Sequence, residues 1–470
     1  MNIVSFLCKN SVIEDNFSPD GAIIFGIDDL PSTIIFQNVS FFNNSAENYL
    51  ISILNTNLIL ENCIFIENFN NLFFLESSSV KFDQSIIQNH ICTVLQYGCF
   101  ADETETSDVY IINSIMNLVS SVMGGIIYTD TSNLFIEESF FSDIKANNAL
   151  GSFLLSTDSK ISSMNSSFQN YDVNFFNLEN VSLIISNNTF NNGNNIFEDI
   201  AIISYGTIYC ESCQNSTINN SFFSGNGNAQ TGTLTFVSET IGLLNTTYLI
   251  YKCIFSYNQA MNQGGAISLF NSKVLIMDND FIGNQANYGG SIYCQTINES
   301  NVIEIRNNTF TSNLAFSEGG AIKWIDEMPQ IDQNNIFINN SALYGNDIAA
   351  FPIRMEVFLI NGNETFSLSE FGILPLIVNV SSGNIFPFNI SINLRDCYDQ
   401  IVTHLTDSRH FFLYGKISFY FSEVVLEFST QEINEEIGSF INIDSSYQYI
   451  FVKNPSPIDQ GSLFIKTKKP

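Results

Sequence analysis

Basic side chains are scarce in this chain: 16 Lys plus Arg face 47 Asp plus Glu in 470 residues, a net charge of −31 with a pI near 4.1. A surface this acidic repels nucleic-acid phosphates and anionic lipid heads, which argues against nucleic acid as a partner and for a well-solvated exterior. Histidine is rarer still, with only His90, His404 and His410. The nine cysteines therefore lack the imidazoles of a mixed zinc set, and no metal or other cofactor is expected. No run of eighteen uninterrupted apolar residues occurs, so no transmembrane helix is expected. The opening MNIVSFLCKNSVIEDNF lacks the basic n-region, long apolar core and small-residue cleavage site of a signal peptide. Charged residues are few at 13%, but a 45% hydrophobic content argues against disorder.

What the chain does have is Phe and Asn: 44 of the first, 61 of the second, against a single Trp. They recur in one phrase, spelled in full three times between Tyr251 and Trp324. It runs Phe255/Asn258/Ala260/Gly264-Gly265-Ala266-Ile267, then Phe281/Asn284/Ala286/Gly289-Gly290-Ser291-Ile292, then Phe310/Asn313/Ala315/Gly319-Gly320-Ala321-Ile322. Self-similarity at this period marks a solenoid or array. Phe281 and Phe310 are each preceded by apolar residues at seven and five positions before, and by Asp or Asn at three: Val274, Ile276 and Asp278, then Ile303, Ile305 and Asn307. Extending that template gives anchors at Leu7, Phe41, Phe65, Ile87, Met116, Phe141, Phe168, Phe190, Phe223, Phe255, Phe281, Phe310 and Phe337, with Asn10, Asn44, Asn68, Asn226 and Asn340 among the paired asparagines.

Within a copy, GGAISLF alternates as a strand, NSK turns, VLIM is a second strand, Asp278-Asn279 turn, DFIGN is a short third strand and QANYGG closes the circuit. Three short strands and three corners describe one coil of a parallel β-helix, about 12–13 coils over residues 1–350. The coil cannot bury its apolar side alone, so Phe281 is expected to stack between Phe255 and Phe310 at ~4.8 Å. Asn284 falls at a corner, where its amide can bond backbone or the next Asn. The Gly pair supplies positive φ and lets the turn lie flat on its neighbour. From about Phe351 the texture changes to longer alternating strands with Pro352, Pro375 and Pro387, including Phe388–Leu394, Lys416–Phe421 and Val424–Phe428. Residues 351–470 are expected to form an antiparallel β-sandwich-like (Ig-like) domain. The fold class is thus all-β throughout.

Of the cysteines, Cys63 and Cys253 share one repeat position, and Cys210 and Cys294 another, which places each pair several coils apart and out of bonding range. Cys210-Glu-Ser-Cys213 fits either a local disulfide or half a metal site, most of the nine are expected to be small buried hydrophobes, and the odd count leaves at least one free thiol or intermolecular bond.

The pairing of Phe-x-x-Asn with Gly-Gly-Ala-Ile resembles the repeat of chlamydial polymorphic outer membrane proteins, also found in large protist surface proteins. The likeness is strongest from Phe255 to Ile322. It is partial upstream, at Phe41/Asn44, Phe65/Asn68 and Phe223/Asn226, where Gly124-Gly125-Ile126-Ile127 is the nearest glycine pair. The resemblance implies a right-handed parallel β-helix displayed outside the cell, with adhesion as the usual proposed role. The bacterial members close on a membrane β-barrel, whereas this chain ends in Lys-Lys-Pro after the sandwich-like segment.

Two functions compete. The first is a non-enzymatic extracellular or cell-surface rod that binds a protein or glycan ligand. The second is a pectin-lyase-like carbohydrate-active enzyme, a lyase or glycoside hydrolase, which needs a basic residue beside clustered carboxylates. Within the repeat region, residues 1–350, the chain offers Arg306 as its one arginine, His90 as its one histidine, Asp278-Asn279-Asp280 as its best acidic cluster and Asp102-Glu103-Thr104-Glu105 as a solvated loop. No catalytic, cofactor or metal residue is assigned from them. Sequons fall at Asn16, Asn38, Asn43, Asn165, Asn180, Asn187, Asn215, Asn219, Asn245, Asn298, Asn307, Asn339, Asn363, Asn379 and Asn389, several of them, such as Asn187 and Asn307, at corner positions expected to be buried. Because Leu7/Asn10 and Asp20-Gly21-Ala22-Ile23-Ile24 already spell the phrase without a cap before them, the chain is expected to belong to a longer polypeptide.

Overall fold

In the computed structural model the described residues are 5–19, 24–92, 101–104, 107–121, 126–146, 153–171, 175–193, 206–227, 229–238, 247–297, 302–351, 354–361, 364–368, 376–378, 389–402, 410–420 and 423–433. Among them there is no helix. The chain divides into two compact units, residues 1–342 with 346–349, and residues 343–345 with 350–470.

The first unit is a parallel β-helix with three walls. In one central coil the walls are Ile267–Phe270, Val274–Met277 and Asp280–Ile282. Each strand pairs in parallel with the same wall one coil on, at Ile292–Thr296, Ile303–Arg306 and Thr309–Thr311. On the third wall the register runs Ile13, Phe41, Phe65, Ile87, Met116, Phe141, Phe168, Phe190, Phe223, Phe255, Phe281, Phe310, Phe337: thirteen rungs. Every expected anchor but the first lies on that line.

The first anchor is Ile13 rather than Leu7. Leu7 pairs with Ile35 on the second wall, and Asn10 sits one rung from Asn38, not from Asn44. An apolar residue followed three later by Asn is spelled twice per coil, once at each of two corners (Ile35…Asn38 and Phe41…Asn44), so the motif alone fits both registers. Asn16 is the true corner residue of the first rung, donating its Nδ2 to Asn44 Oδ1 at 2.9 Å. Of the glycine phrase expected at 20–24, only Ile24 is described; it pairs with Ile51. The pair Gly124-Gly125 lies outside the described residues, while Ile127 pairs with Leu154 on the first wall.

The anchor rings fill the interior. Phe41 and Phe65 stack at 4.4 Å, and the run from Phe141 to Phe337 continues at 4.9, 4.7, 4.9, 5.0, 5.1, 4.8 and 5.0 Å with nearly parallel planes. Ring spacing therefore follows strand spacing, and each inner Phe is sealed by the rungs on either side. Phe281 has no accessible surface.

The corners obey one rule. A residue in the left-handed region points outward, and the next residue turns its side chain inward and hydrogen-bonds along the axis. At the corner after the third wall the inward residue is Asn: Asn44 to Asn68, then Asn226 to Asn258 to Asn284 to Asn313 to Asn340, each Nδ2 donating to the next Oδ1 at 2.9–3.1 Å. Each amide also donates back to a carbonyl of the rung behind, as Asn284 does to Phe255 O at 3.0 Å. Between Asn68 and Asn226 the row changes to His90, Val119, Ile144, Tyr171 and Gly193. Gly193 is required there: a Cβ would meet Tyr171 Cε2 at 2.4 Å, and that ring crosses it so that the Tyr171 hydroxyl donates to Asn226 Oδ1 at 2.8 Å.

The glycine pair divides its labour. Gly264, Gly289 and Gly319 take positive φ of 57°, 64° and 69°. Gly265, Gly290 and Gly320 do not; a Cβ on each would lie 2.0–2.4 Å from a carbonyl of the next rung. That second row continues upstream through Gly232 and Gly206, which the sequence template passed over because their first partner is missing. The closing segment is also more regular than a loop. Gln285–Tyr288 forms a short strand paired with Leu314–Glu318, because Ala286 and Ala315 turn inward and the residues around them outward.

The second unit contains two three-stranded antiparallel sheets. One joins Arg354–Asn361 to Glu364–Leu368 and Asn389–Arg395, the other joins Glu423–Ile433 to Leu376–Val378 and His410–Tyr420. Asp396 is buried at its turn, accepting the backbone N–H of Tyr398 and of Gln400 at 2.9 Å each and the Tyr344 hydroxyl at 2.6 Å. Pro352, Pro375, Pro387 and the basic tail fall outside the described residues.

A Phe281→Ala substitution removes one ring from a sealed stack and is expected to destabilise the chain by ~3–5 kcal/mol in denaturant unfolding. A loss below about 1 kcal/mol would contradict the inward stack.

Candidate functional site

The repeat residues are spent inside the fold. Phe41, Phe65, Phe223, Phe255 and Phe310, with Asn44, Asn68, Asn226, Asn258, Asn284, Asn313 and Asn340, are all buried, and Phe337 on the last rung is half-buried. Chemistry with a ligand must therefore come from the outward residues of walls and corners.

The enzyme candidates do not converge. Arg306 is half exposed on the outside of the second wall and forms an ion pair with Glu304. Asp278 is an exposed left-handed corner residue, and its backbone N–H donates to Arg306 O at 3.2 Å, so the two share a corner through the main chain. Asp280 is exposed on the next strand. Between them Asn279 turns inward to donate to Asn308 Oδ1, which explains why Asp-Asn-Asp is a corner and not a carboxylate cluster. Lys323 on the first wall and Glu318 at the end of the closing strand are both buried and pair with each other. Among the described residues no group of three His, Cys, Asp or Glu is placed to hold a metal ion. For Asp102-Glu103-Thr104 only the backbone, a first-wall strand, is described; Glu105, His404 and the side chain of His410 are not.

Cys210 and Cys213 form a disulfide, which closes the metal reading of that motif. Cys63 and Cys253 lie inward at equivalent corners, and burial pushes their thiols up to about 11 and about 12, away from thiolate chemistry. Cys210 and Cys294 share a row on the first wall with Phe236 and Leu269 between them. The side chains of Cys92 and Cys99 are outside the described residues.

The template missed a second axial ladder at the corner before the third wall. Its members are Cys63, Ser85, Ser114, Ser139, Ser166, Asn188 and Ser221, then Cys253, Asn279, Asn308 and Asn335. A third, of Thr56, Ser78, Ser107, Ser132 and Ser159, follows the first wall. These rows put the sequons in a different light. Asn187 and Asn307 are exposed rather than buried, because the outward residue of each corner precedes the inward one. Asn38, Asn43, Asn165, Asn215 and Asn339 are exposed for the same reason, Asn16 is also exposed, Asn180 is intermediate and Asn219 is buried. Asn245, Asn298, Asn363 and Asn379 lie outside the described residues, as does the side chain of Asn389.

No family model matches the chain. A curated transmembrane domain-containing protein of Dictyostelium discoideum is 28% identical over 172 residues, which is 35% of this chain and 10% of that protein. The chain thus spans about a tenth of the length of the curated relative it matches. Among solved structures, the A-module of a mannuronan C-5 epimerase from Azotobacter vinelandii aligns over 68% of this chain and 91% of its own, with 9% identity and a TM-score of 0.21. A score that low supports no argument about chemistry.

His90 offers a test of the ladder. It is buried in the asparagine row, and desolvation, opposed by backbone hydrogen bonds, lowers its pKa to about 4. The unfolded chain then binds this proton near pH 6.5 while the folded chain does not, so stability from this group is full above pH 6.5 and falls as pH drops toward 4. His90→Asn is expected to remove that acid-labile dependence, so that the wild-type-minus-variant stability difference falls by about 3 kcal/mol between pH 7 and pH 4. A difference that stays constant from pH 7 to pH 4.5 would contradict the neutral buried imidazole.

Proposed function

We propose that this chain is a non-enzymatic β-helical rod carried outside the cell, where its outer faces bind a protein or glycan partner. The observation that carries the reading is the division of labour at each coil: repeat residues are consumed by inward stacks and ladders, and the outward positions vary freely. Thirteen rungs at ~4.8 Å give a face ~58 Å long, the proportions of a surface that engages an extended ligand. The Phe-x-x-Asn and Gly-Gly-Ala-Ile resemblance to polymorphic outer membrane proteins supports extracellular display and adhesion. The description of the Dictyostelium relative as transmembrane domain-containing agrees with display at a membrane. Among the described residues of this chain no helix is long and apolar enough to cross one, so attachment through such a helix would use other residues.

The alternative is a pectin-lyase-like enzyme. Against it stand the ion pair of Arg306 with Glu304 and the outward, separate placement of Asp278 and Asp280, which leave no basic group facing clustered carboxylates at that corner.

Purified protein incubated with polygalacturonate and with alginate is expected to release neither unsaturated ends nor reducing ends above a buffer control. Product formation that disappears in Arg306→Ala would overturn the binding reading.

A further inference from the structure

The outward residues at the corner after the third wall form one edge along the rod: Asp15, Asn43, Glu67, Asn89, Leu118, Asp143, Asn170, Asn192, Gly225, Tyr257, Gly283, Ser312 and Asn339. All take positive φ. Asn, Asp and Gly, which tolerate that conformation best, fill nine of the thirteen positions; the exceptions are Glu67, Leu118, Tyr257 and Ser312, and Tyr257 is the one aromatic among them. Tyr257 is at φ 55° and is 65% exposed.

Its ring is also held in place. On the next rung Gly283 has φ 62°, and a Cβ there would lie 2.8 Å from both Cδ1 and Cε1 of Tyr257. The ring therefore lies across the glycine, one side against the backbone and the rest open to solvent. Asn192 and Gly225 repeat the device one step back, with the Asn192 Oδ1 3.0 Å from where a Gly225 Cβ would be. Ahead of the ring come Ser312 and Asn339, both exposed. From Asn192 to Asn339 the edge carries no charge, on a molecule of net −31; the acidic members Asp15, Glu67 and Asp143 are all on earlier rungs.

We propose that this edge, from Asn192 to Asn339, is a binding strip for a neutral, extended β-1,4-linked polysaccharide, with Tyr257 as its stacking platform. The proposal rests on the ligand-binding reading above and names the ligand class. A fixed aromatic face attracts the weakly positive C–H face of a pyranose through its quadrupole, and the phenol O–H remains free for a sugar hydroxyl. An extended β-1,4 chain advances about one sugar per rung of ~4.8 Å, so six sugars along six rungs pass Asn192 over Gly225, Tyr257 over Gly283, then Ser312 and Asn339. Amide and hydroxyl side chains supply donors and acceptors to ring hydroxyls without the repulsion that the acidic surface imposes on uronates.

The test uses the full chain with cellohexaose as the neutral probe and hexagalacturonate as its anionic counterpart, followed by calorimetry and by saturation-transfer NMR. Cellohexaose is expected to bind wild type and Tyr257→Phe within about threefold of each other, and to bind Tyr257→Asn at least about tenfold more weakly, a loss of about 1.4 kcal/mol. Asn suits the left-handed backbone, so the Tyr257→Asn chain should unfold at the wild-type temperature or above, separating lost stacking from lost folding. The strip is overturned if cellohexaose fails to bind, if Tyr257→Asn binds it as wild type does, or if hexagalacturonate binds more tightly. Turnover of polygalacturonate would overturn the non-enzymatic reading instead, whatever cellohexaose does.

Discussion

Where asparagine lines the corner after the third wall, each rung satisfies its corner amide along the rod axis. Wall strands solve the problem with parallel backbone pairing, but at each corner the chain changes direction and one N–H per rung turns inward. The inward side chain of the adjacent rung supplies the acceptor. Asn258 N–H meets Asn284 Oδ1 at 3.1 Å, and Asn284 N–H meets Asn313 Oδ1 at 2.9 Å. The amide then sends its own Nδ2 to a carbonyl behind and to the next Oδ1 ahead, so each donor and acceptor along the row is used. The Phe stack lies inside this frame and depends on it, since the corners set the register that brings ring over ring.

That constraint explains what the sequence disclosed and what it hid. An aromatic with a carboxamide three residues later is distinctive at Phe41, Phe65 and from Phe223 to Phe337, and eleven consecutive pairings from Phe41 to Phe337 can be followed through Ile87 and Met116 between them. The second corner accepts any small residue with an acceptor or a compact body. Ser85, Asn188 and Cys253 therefore serve one row without a shared letter. Its outward neighbour is equally free: Gln84, Glu138, Lys252 and Asp278 all take positive φ there. Pattern matching fails where the physical requirement is loose, and Leu7 was misplaced at such a point.

Inward and outward residues alternate at the corner, and this decides which asparagines are available for chemistry. In Asn307-Asn308 the first is exposed and left-handed, the second buried and bonded to Asn335. Two identical adjacent side chains thus have opposite fates fixed by backbone conformation alone. The same logic separates Asp278 from Asn279, and it is why an acidic doublet in the sequence became two solitary carboxylates on the outside. Candidate sites in this fold are better sought one residue before each ladder member than at the ladder itself.

The edge residues follow from that freedom. An outward corner position has to tolerate a left-handed backbone and nothing else, so its side chain can change from Asp143 to Asn192 to Tyr257 without disturbing the stack within. Where the side chain is large, the next rung compensates: Gly283 under Tyr257, as Gly193 makes room for Tyr171 on the inward row. The two glycines answer to rings on opposite sides of one corner. The inward case ends in a buried hydroxyl bond to Asn226, which accounts for both residues structurally. The outward case ends at solvent: the Tyr257 ring lies over Gly283 and keeps its other face open, where a ligand and not the fold can use it.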